Sequence, residues 1–538
     1  MSTAPLLQQA ALLARQGQLA QALDLCEQAI GAAPGDAEAW RFKAGLAAAM
    51  DRMDEAAGAF ERSLALRPDD GATLLDYGSA LAAIGAHEPA LVRLQQAAQA
   101  LPADPRAPFR AAVSAFSLGR YEHAATLFEQ ALQRKPDWVE AWNNLATAHT
   151  RADALAPALA AARRAQDLRP DEPAQLHTLA AVLSRTFDRA QLEEGLAHAQ
   201  RALALAPDFA GAHELAAIIL RKLDRMVEAR PHARRALELQ PENPDYAVLY
   251  GDLLLDGGEA AASEPVYAAA LRRSPDHPVL LRQHAIAQLL LARPAPAQAQ
   301  LERALTAAPQ DQRAIAHLGV ALSMQGRHAP ARALIGLDRH VRAVPLAAPE
   351  GFADTAAFHA ALAQDIRRHS QQRFEPPGLA ARRAWLSGDL LADRTAAIVG
   401  FEQRLTAAIA DYIASLQPDP EDVFLRAIPR RWRMHVWATR SDDGGRIDTH
   451  IHEESWLSGA YYVELPPGLG AGPDDPAGWI EFGRPFASLP APPEDWIVRM
   501  RPQVGTLLLF PSYLFHRTLP YRGEGERISI SFDLAAVD

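Results

Sequence analysis

The sequence predicts a multidomain chain of 538 residues in which an all-α repeat array precedes a predominantly β region. Three observations predict it. Proline recurs at positions 34, 68, 102, 136 and 170, then at 207, 241, 275 and 309, a step of 34 residues in every interval but one, which is 37. A fixed period of this size marks stacked supersecondary units. That periodicity fades after Leu337. Beyond Val423, short runs rich in Val, Ile, Tyr, Trp and Phe alternate with Gly, Pro and Asp turns, the pattern of strands and hairpins.

Within the array, proline set at position 32 of each unit brings other residues into register. The second unit then runs from Ala37 to Asp70, with Trp40 at 4, Ala56 at 20 and Phe60 at 24. The fourth places Ala112, Ala124, Phe128 and Ala131 at 8, 20, 24 and 27, and the fifth has Trp142, Leu145, Ala146, Ala158 and Ala165. The pairs Tyr77-Gly78, Tyr250-Gly251 and Leu318-Gly319 put a large residue before glycine at 7 and 8. Small residues let the two helices of one unit approach, and large ones fill the gap to the next unit. Proline ends the second helix because it lacks an N–H and clashes with the preceding turn. The acid that often follows (Asp69, Asp137, Asp171, Glu242) suits the next helix N-terminus. Three extra residues near Arg185-Thr186-Phe187-Asp188 read as a longer turn between helices. Many positions recur together, and the pattern resembles the tetratricopeptide repeat (TPR) family over residues 1–340, nine units and a degenerate tenth. The resemblance implies a TPR solenoid whose groove binds a protein or peptide.

The stretch Ala343-Val344-Pro345-Leu346-Ala347-Ala348-Pro349-Glu350-Gly351 reads as a linker, 341–355, with a second domain over 356–538. Helical spacing returns at Ala356–Ser370 and at Leu391–Leu416, where Ile398, Phe401, Leu405, Ile409 and Ile413 form one apolar face before Pro418 and Pro420. Expected strands are Trp432–Ala438, Ile447–His452, Gly459–Leu465, Gly478–Phe482, Thr506–Phe510 and Arg527–Leu534.

Charge and composition narrow the function. A net charge of -11 argues against a general nucleic-acid binder, whose footprint is a basic face. Arg430-Arg431-Trp432-Arg433 is a local exception, read as a solvated strand edge. No run approaches a membrane span, and Met1-Ser2-Thr3-Ala4-Pro5 lacks the layout of a secretory signal. The single cysteine, Cys26, fits a reducing compartment and reads as packing, so a cytoplasmic location is expected. The wealth of Ala and Arg points to a bacterial source with a GC-rich genome.

Three segments carry candidate chemistry. In Asp448-Thr449-His450-Ile451-His452-Glu453-Glu454-Ser455, an extended chain would point residues 450, 452 and 454 the same way. The run Val504-Gly505-Thr506-Leu507-Leu508-Leu509-Phe510-Pro511-Ser512 leads to His516, and Arg527-Ile528-Ser529-Ile530-Ser531-Phe532 follows eleven residues later. Together they resemble the iron(II)- and 2-oxoglutarate-dependent oxygenases. More narrowly, they resemble a bacterial group with His-x-His before a Ser-Gly-x-Tyr-Tyr strand, here Ser458-Gly459-Ala460-Tyr461-Tyr462. The resemblance implies a double-stranded β-helix (jelly-roll) domain with flanking helices. It also implies Fe(II) as cofactor, 2-oxoglutarate and O2 as co-substrates, and a dioxygenase acting as a hydroxylase. On it, His450 and His516 match iron ligands, Arg527 and Ser529 match the co-substrate grip, and Tyr462 is a further candidate there.

One departure matters: His452 stands where the family has a carboxylate. Three ligand sets remain open: His450, His452 and His516; His452, Glu454 and His516; or His450 and His516 with water. His435 reads as structural, and Trp437 and Trp456 as packing or pocket lining. Repeats joined to such a domain resemble in layout the animal aspartyl/asparaginyl and prolyl hydroxylases, which implies a protein or peptide substrate. A silent binding protein and an oxygenase of a small metabolite are the alternatives; neither nucleic acid nor membrane is an expected partner.

Overall fold

The computed structural model describes residues 3–469 and 475–537. Met1 and Ser2, the start of the expected array, and Asp538, the end of the expected second domain, lie outside them. The chain forms two compact units. One is built from the described residues of Met1–Thr186 and Glu194–Pro207, the other from those of Phe187–Glu193 and Asp208–Asp538.

In both units the repeat helices follow the proline period. Helices at Ala37–Ala49 and Met53–Leu66 pair, and the second ends just before Pro68. The same pairing recurs through Gln312–Met324 and the short His328–Ile335. Caps are built from the acid after the proline: Asp36 accepts from the backbone of Glu38, and Asp70 from that of Thr73. The tryptophans at position 4 donate to the proline carbonyl behind them, Trp40 to Pro34 and Trp142 to Pro136, each at 2.9 Å. Glycine at position 8 is required by close approach. A methyl group on Gly78 would stand 2.6 Å from Leu94, one on Gly319 2.6 Å from Ile335, and one on Gly251 would enter the Tyr267 ring. Cys26 is buried, and burial pushes its thiol up to about 12, in keeping with packing.

The three extra residues lengthen the turn little: it runs over 185–188, against 50–52 in the second unit. They lengthen the second helix, Arg189–Leu205, to 17 residues against 14 in Met53–Leu66. Lengthening a helix adds a hydrogen bond per residue, whereas a longer turn would leave those groups to solvent.

The C-terminal region of the second unit is a jelly-roll of antiparallel strands: β1 (Arg342–Pro345), β2 (Gln372–Phe374), β3 (Ala381–Ser387), β4 (Trp432–Ile447), β5 (Leu457–Glu464), β6 (Ile480–Phe482), β7 (Val498–Met500), β8 (Thr506–Pro511), β9 (His516–Thr518) and β10 (Arg527–Ala536). Seven form a large sheet in the order β1-β8-β5-β10-β4-β3-β2, and three a small one, β7-β6-β9. Helices Thr355–Arg368 and Ala396–Ser415, started by caps from Asp354 and Thr395, share one apolar core with the large sheet. Alternation divides β10. Ile528, Ile530, Phe532 and Leu534 join that core, which leaves Arg527, Ser529, Ser531 and Asp533 on the other face.

Several expectations need correction. Part of the expected linker, Arg342–Pro345, is β1, which pairs with β8 from Arg342↔Leu509 to Pro345↔Thr506. Pro345 is tolerated because β1 is an edge strand. β4 continues past Ala438 through Gly444-Gly445, carried by its ladders to β10 and β3. The expected strand Ile447–His452 reduces to a bridge between His450 and His516. The Arg430–Arg433 run lies at the start of β4 with Arg430, Arg431 and Arg433 exposed. Among the described residues, no helix is long and apolar enough to cross a membrane.

Candidate metal centre

The site begins with backbone pairing. His450 and His516 exchange backbone hydrogen bonds of 3.0 and 3.1 Å, and the N–H of His452 donates to the Ser512 carbonyl at 3.0 Å. These bonds fasten the segment before β5 to the edge of β9. The imidazoles of His450, His452 and His516 then converge, with one nitrogen from each within 4.8 Å of the others.

Each Nδ1 is spoken for. That of His450 faces the Asp448 carbonyl at 2.9 Å, that of His516 the Leu514 carbonyl at 2.9 Å, and that of His452 the Asp533 carboxylate at 2.8 Å. These oxygens only accept, so every Nδ1 carries a proton, and in the neutral ring Nε2 is left with the lone pair. The Nε2 atoms of His452 and His516 stand 3.3 Å apart, lone pair to lone pair. That arrangement repels unless a cation lies between them. Two nitrogens each about 2.1 Å from one ion are roughly 3 Å apart at a right angle, so the spacing fits a shared metal. Burial drops His450 to about 3, and a proton on neighbouring His452 would act in the same sense. Burial also holds His516 well below the usual imidazole range, with the His450 and His452 charges acting in the same sense. Both are neutral at pH 7, the form that binds metal.

Glu454 is not part of the cluster. Glu453 and Glu454 form an exposed turn that redirects the chain into β5, so the extended alternation stops at His452. Glu453 instead pairs with Arg313 at 3.1 Å and lies 4.0 Å from Arg282, both on repeat helices of the same unit. His435 is exposed on β4. Trp437 lines the site, its ring 5.9 Å from that of His452. Trp456 packs, stacked at 4.3 Å on Phe424.

Arg527 is 5% exposed and lies over the Tyr462 ring at 5.5 Å, donating to the Gly478 carbonyl at 3.1 Å. Among the described residues, no group stands in hydrogen-bond geometry to the buried Tyr462 hydroxyl or to Trp479 Nε1, and the nearest charge to that hydroxyl is the Arg527 guanidinium. Burial raises the Tyr462 phenol, against the Arg527 charge. A buried guanidinium beside an unsatisfied hydroxyl fits a carboxylate guest. Ser529, buried, opposes Tyr462 across the ladder.

The Ser-Gly-x-Tyr-Tyr run now has a reason at each position. Ser458 donates to Asp533 at 2.6 Å and lies 2.7 Å from the Ser512 hydroxyl. Gly459 admits the Phe532 ring and the Leu508 carbonyl, which any Cβ would meet. Tyr461 bonds His359 at 2.6 Å from the core side. Sequence reading missed Asp533, and it quoted Ser458 and Ser512 within their motifs without giving them a role. The signal for Asp533 was the alternation of β10, which puts 533 on the face of 527 and 529.

Comparison with known proteins agrees. Residues 435–533 match the family described as "Putative 2OG-Fe(II) oxygenase". Residues 18–134 match the TPR domain of cytochrome c-type biogenesis protein H, and residues 109–173, 187–244 and 228–278 match a tetratricopeptide repeat family. No curated protein sequence matches the chain. Among solved structures, the thermophilic TPR protein TTC0263 of Thermus thermophilus is 26% identical, over 34% of this chain and 99% of its own, with a TM-score of 0.32. YrrB, a TPR protein with an unusual peptide-binding site, is 19% identical over 34% and 94%, with a TM-score of 0.30. The human IFIT1 dimer with m7Gppp-AAAA is 16% identical over 61% and 88%, with a TM-score of 0.36. The chain thus carries tetratricopeptide repeats in its N-terminal region and, at residues 435–533, a domain of the family described as "Putative 2OG-Fe(II) oxygenase".

Proposed function

We propose that His450, His452 and His516 bind iron(II), that Arg527 holds 2-oxoglutarate with Tyr462 and Ser529 beside it, and that the enzyme hydroxylates a protein or peptide brought by the repeats. The observation that carries the reading is one ring nitrogen from each of the three histidines within 4.8 Å of the others, with each Nδ1 anchored. Iron(II) held by these three residues would supply, together with 2-oxoglutarate and dioxygen, the oxidising chemistry that hydroxylates a C–H bond, the co-substrate ending as succinate and carbon dioxide. The chain's own residues orient and exclude. Arg527 offers a charge-assisted pair to the distal carboxylate of the co-substrate, and the Tyr462 hydroxyl supplies a second donor. Phe510 and Phe482 wall the cluster, their rings 4.7 and 6.2 Å from that of His516, and keep water from its buried side.

Protein or peptide recruitment rests on the repeats, whose family commonly binds such ligands, and on the Arg313–Glu453 pair, which brings a repeat helix to the residue after His452. The proposed boundaries are repeats over 1–340 and an oxygenase domain that takes in β1, Arg342–Pro345, as well as the expected 356–538. A cytoplasmic location and a bacterial source are part of the same reading.

The test is metal analysis and succinate release on the full-length protein. Stoichiometric iron and succinate dependent on iron(II), 2-oxoglutarate and dioxygen are expected; an inert protein would leave the silent alternative. Supplying a peptide pool and a metabolite extract separately tests substrate class. Gain of one oxygen atom on a peptide is expected, whereas turnover on a metabolite alone would overturn recruitment.

A further inference from the structure

Asp533 sits at the end of the alternation that also carries Arg527 and Ser529, and its carboxylate is held at both oxygens. One lies 2.8 Å from His452 Nδ1, and the other accepts from Ser458 at 2.6 Å, whose hydroxyl lies 2.7 Å from that of Ser512. The carbonyl of Ser512 in turn accepts from the backbone N–H of His452. The loop closes: the strand that orients the carboxylate also fixes the histidine it addresses. The side chain of Asp533 is 19% exposed and that of His452 15%, so little solvent screens the pair.

Charge supplies the reason. Three neutral imidazoles around a divalent ion leave two positive charges, while two imidazoles and a direct carboxylate leave one. Three imidazoles with one outer carboxylate also leave one. Resting on the iron-site reading above, we propose that Asp533 is a positioning residue that stands in, one shell out, for the direct carboxylate ligand His452 has displaced. It fixes the proton of His452 on Nδ1, aims Nε2 at the metal, and returns the missing negative charge to the site. A histidine ligand with a carboxylate on its far nitrogen binds more tightly than the imidazole alone.

The experiment is anaerobic titration of the full-length protein with cobalt(II), followed by its visible absorption, for wild type, Asp533→Asn, His452→Ala and the double variant. Asparagine keeps the shape and an acceptor for Ser458, but loses the charge and can present N–H to His452 Nδ1. The expected result is a 10- to 100-fold weaker cobalt(II) affinity for Asp533→Asn, roughly the cost of losing such a partner. A comparable or larger loss is expected for His452→Ala, with no further loss in the double variant. Wild-type affinity in His452→Ala would remove that ligand and with it the iron-site reading as drawn. A weakened His452→Ala with an unaffected Asp533→Asn would overturn the positioning role alone. Losses that add in full in the double variant would also overturn it, assigning Asp533 to the fold. If Asp533→Asn fails to fold, Ser458→Ala replaces it. A several-fold loss that disappears in the His452→Ala background is then expected, and wild-type affinity would overturn the proposal.

Discussion

His516 is the most deeply set of the three imidazoles, 7% exposed and wedged by Phe510. His516→Ala should abolish stoichiometric iron binding, and retained iron in metal analysis would remove it from the ligand set. Arg527→Ala should leave metal content unchanged while raising the 2-oxoglutarate concentration needed for half-maximal succinate release, at least tenfold for a charge-assisted pair. Tyr462 gives a finer test. Its buried hydroxyl meets no hydrogen-bond partner in good geometry among the described residues, so Tyr462→Phe should leave thermal stability unchanged or raise it by up to about 1 kcal/mol, while weakening 2-oxoglutarate binding. A destabilised Tyr462→Phe protein would mean that the hydroxyl has a partner in the fold. The family resemblance, carried by short local patterns, made 516, 527 and 462 candidates, and strand alternation brought 450 and 452 together. Alternation could not show that 454 turns away, since that depends on where β5 begins.

Elements follow the sequence where a period is long and lose it where contacts decide. The repeat helices were legible because the residues at positions 4, 7, 8, 20, 24, 27 and 32 recur together every 34 residues. The three-residue strands β2, β7 and β9 carry no period at all, and β1 hides in a segment that reads as linker because its partner β8 lies far along the chain. Gly459 shows how an element depends on one residue. Gly459→Ala should cost about 1–3 kcal/mol, because the Leu508 carbonyl of β8 and the Phe532 ring of β10 occupy the methyl position. Urea denaturation reads the loss, and a neutral outcome would show that the sheet can part there. Gly251→Ala, against the buried Tyr267, should behave likewise.

Over the second compact unit, acid stability is set by histidines held neutral. His317, on the repeat helix Gln312–Met324, is fully buried against Phe515, and burial with the Arg313 charge lowers it to about 3. Its folded value lies below its unfolded one, so the unfolded chain takes the proton first. Stability is full above about pH 6.5 and falls toward pH 3, by up to about 1.4 kcal/mol per pH unit. His317→Gln should therefore show a smaller drop in urea midpoint between pH 7 and pH 5 than wild type. Equal drops would mean that this imidazole does not titrate with unfolding.

The apolar core that contains Phe401, Leu509 and Phe532 also contains Leu281, Leu301 and Leu322 of the repeats, and β1 closes one edge of the large sheet. A gene fragment starting at residue 356 would strip β8 of its outermost partner and lay that shared core open to water, a recipe for inclusion bodies. A fragment starting near residue 208 keeps both. For anyone swapping such catalytic ends between proteins, the last repeats travel with the cargo.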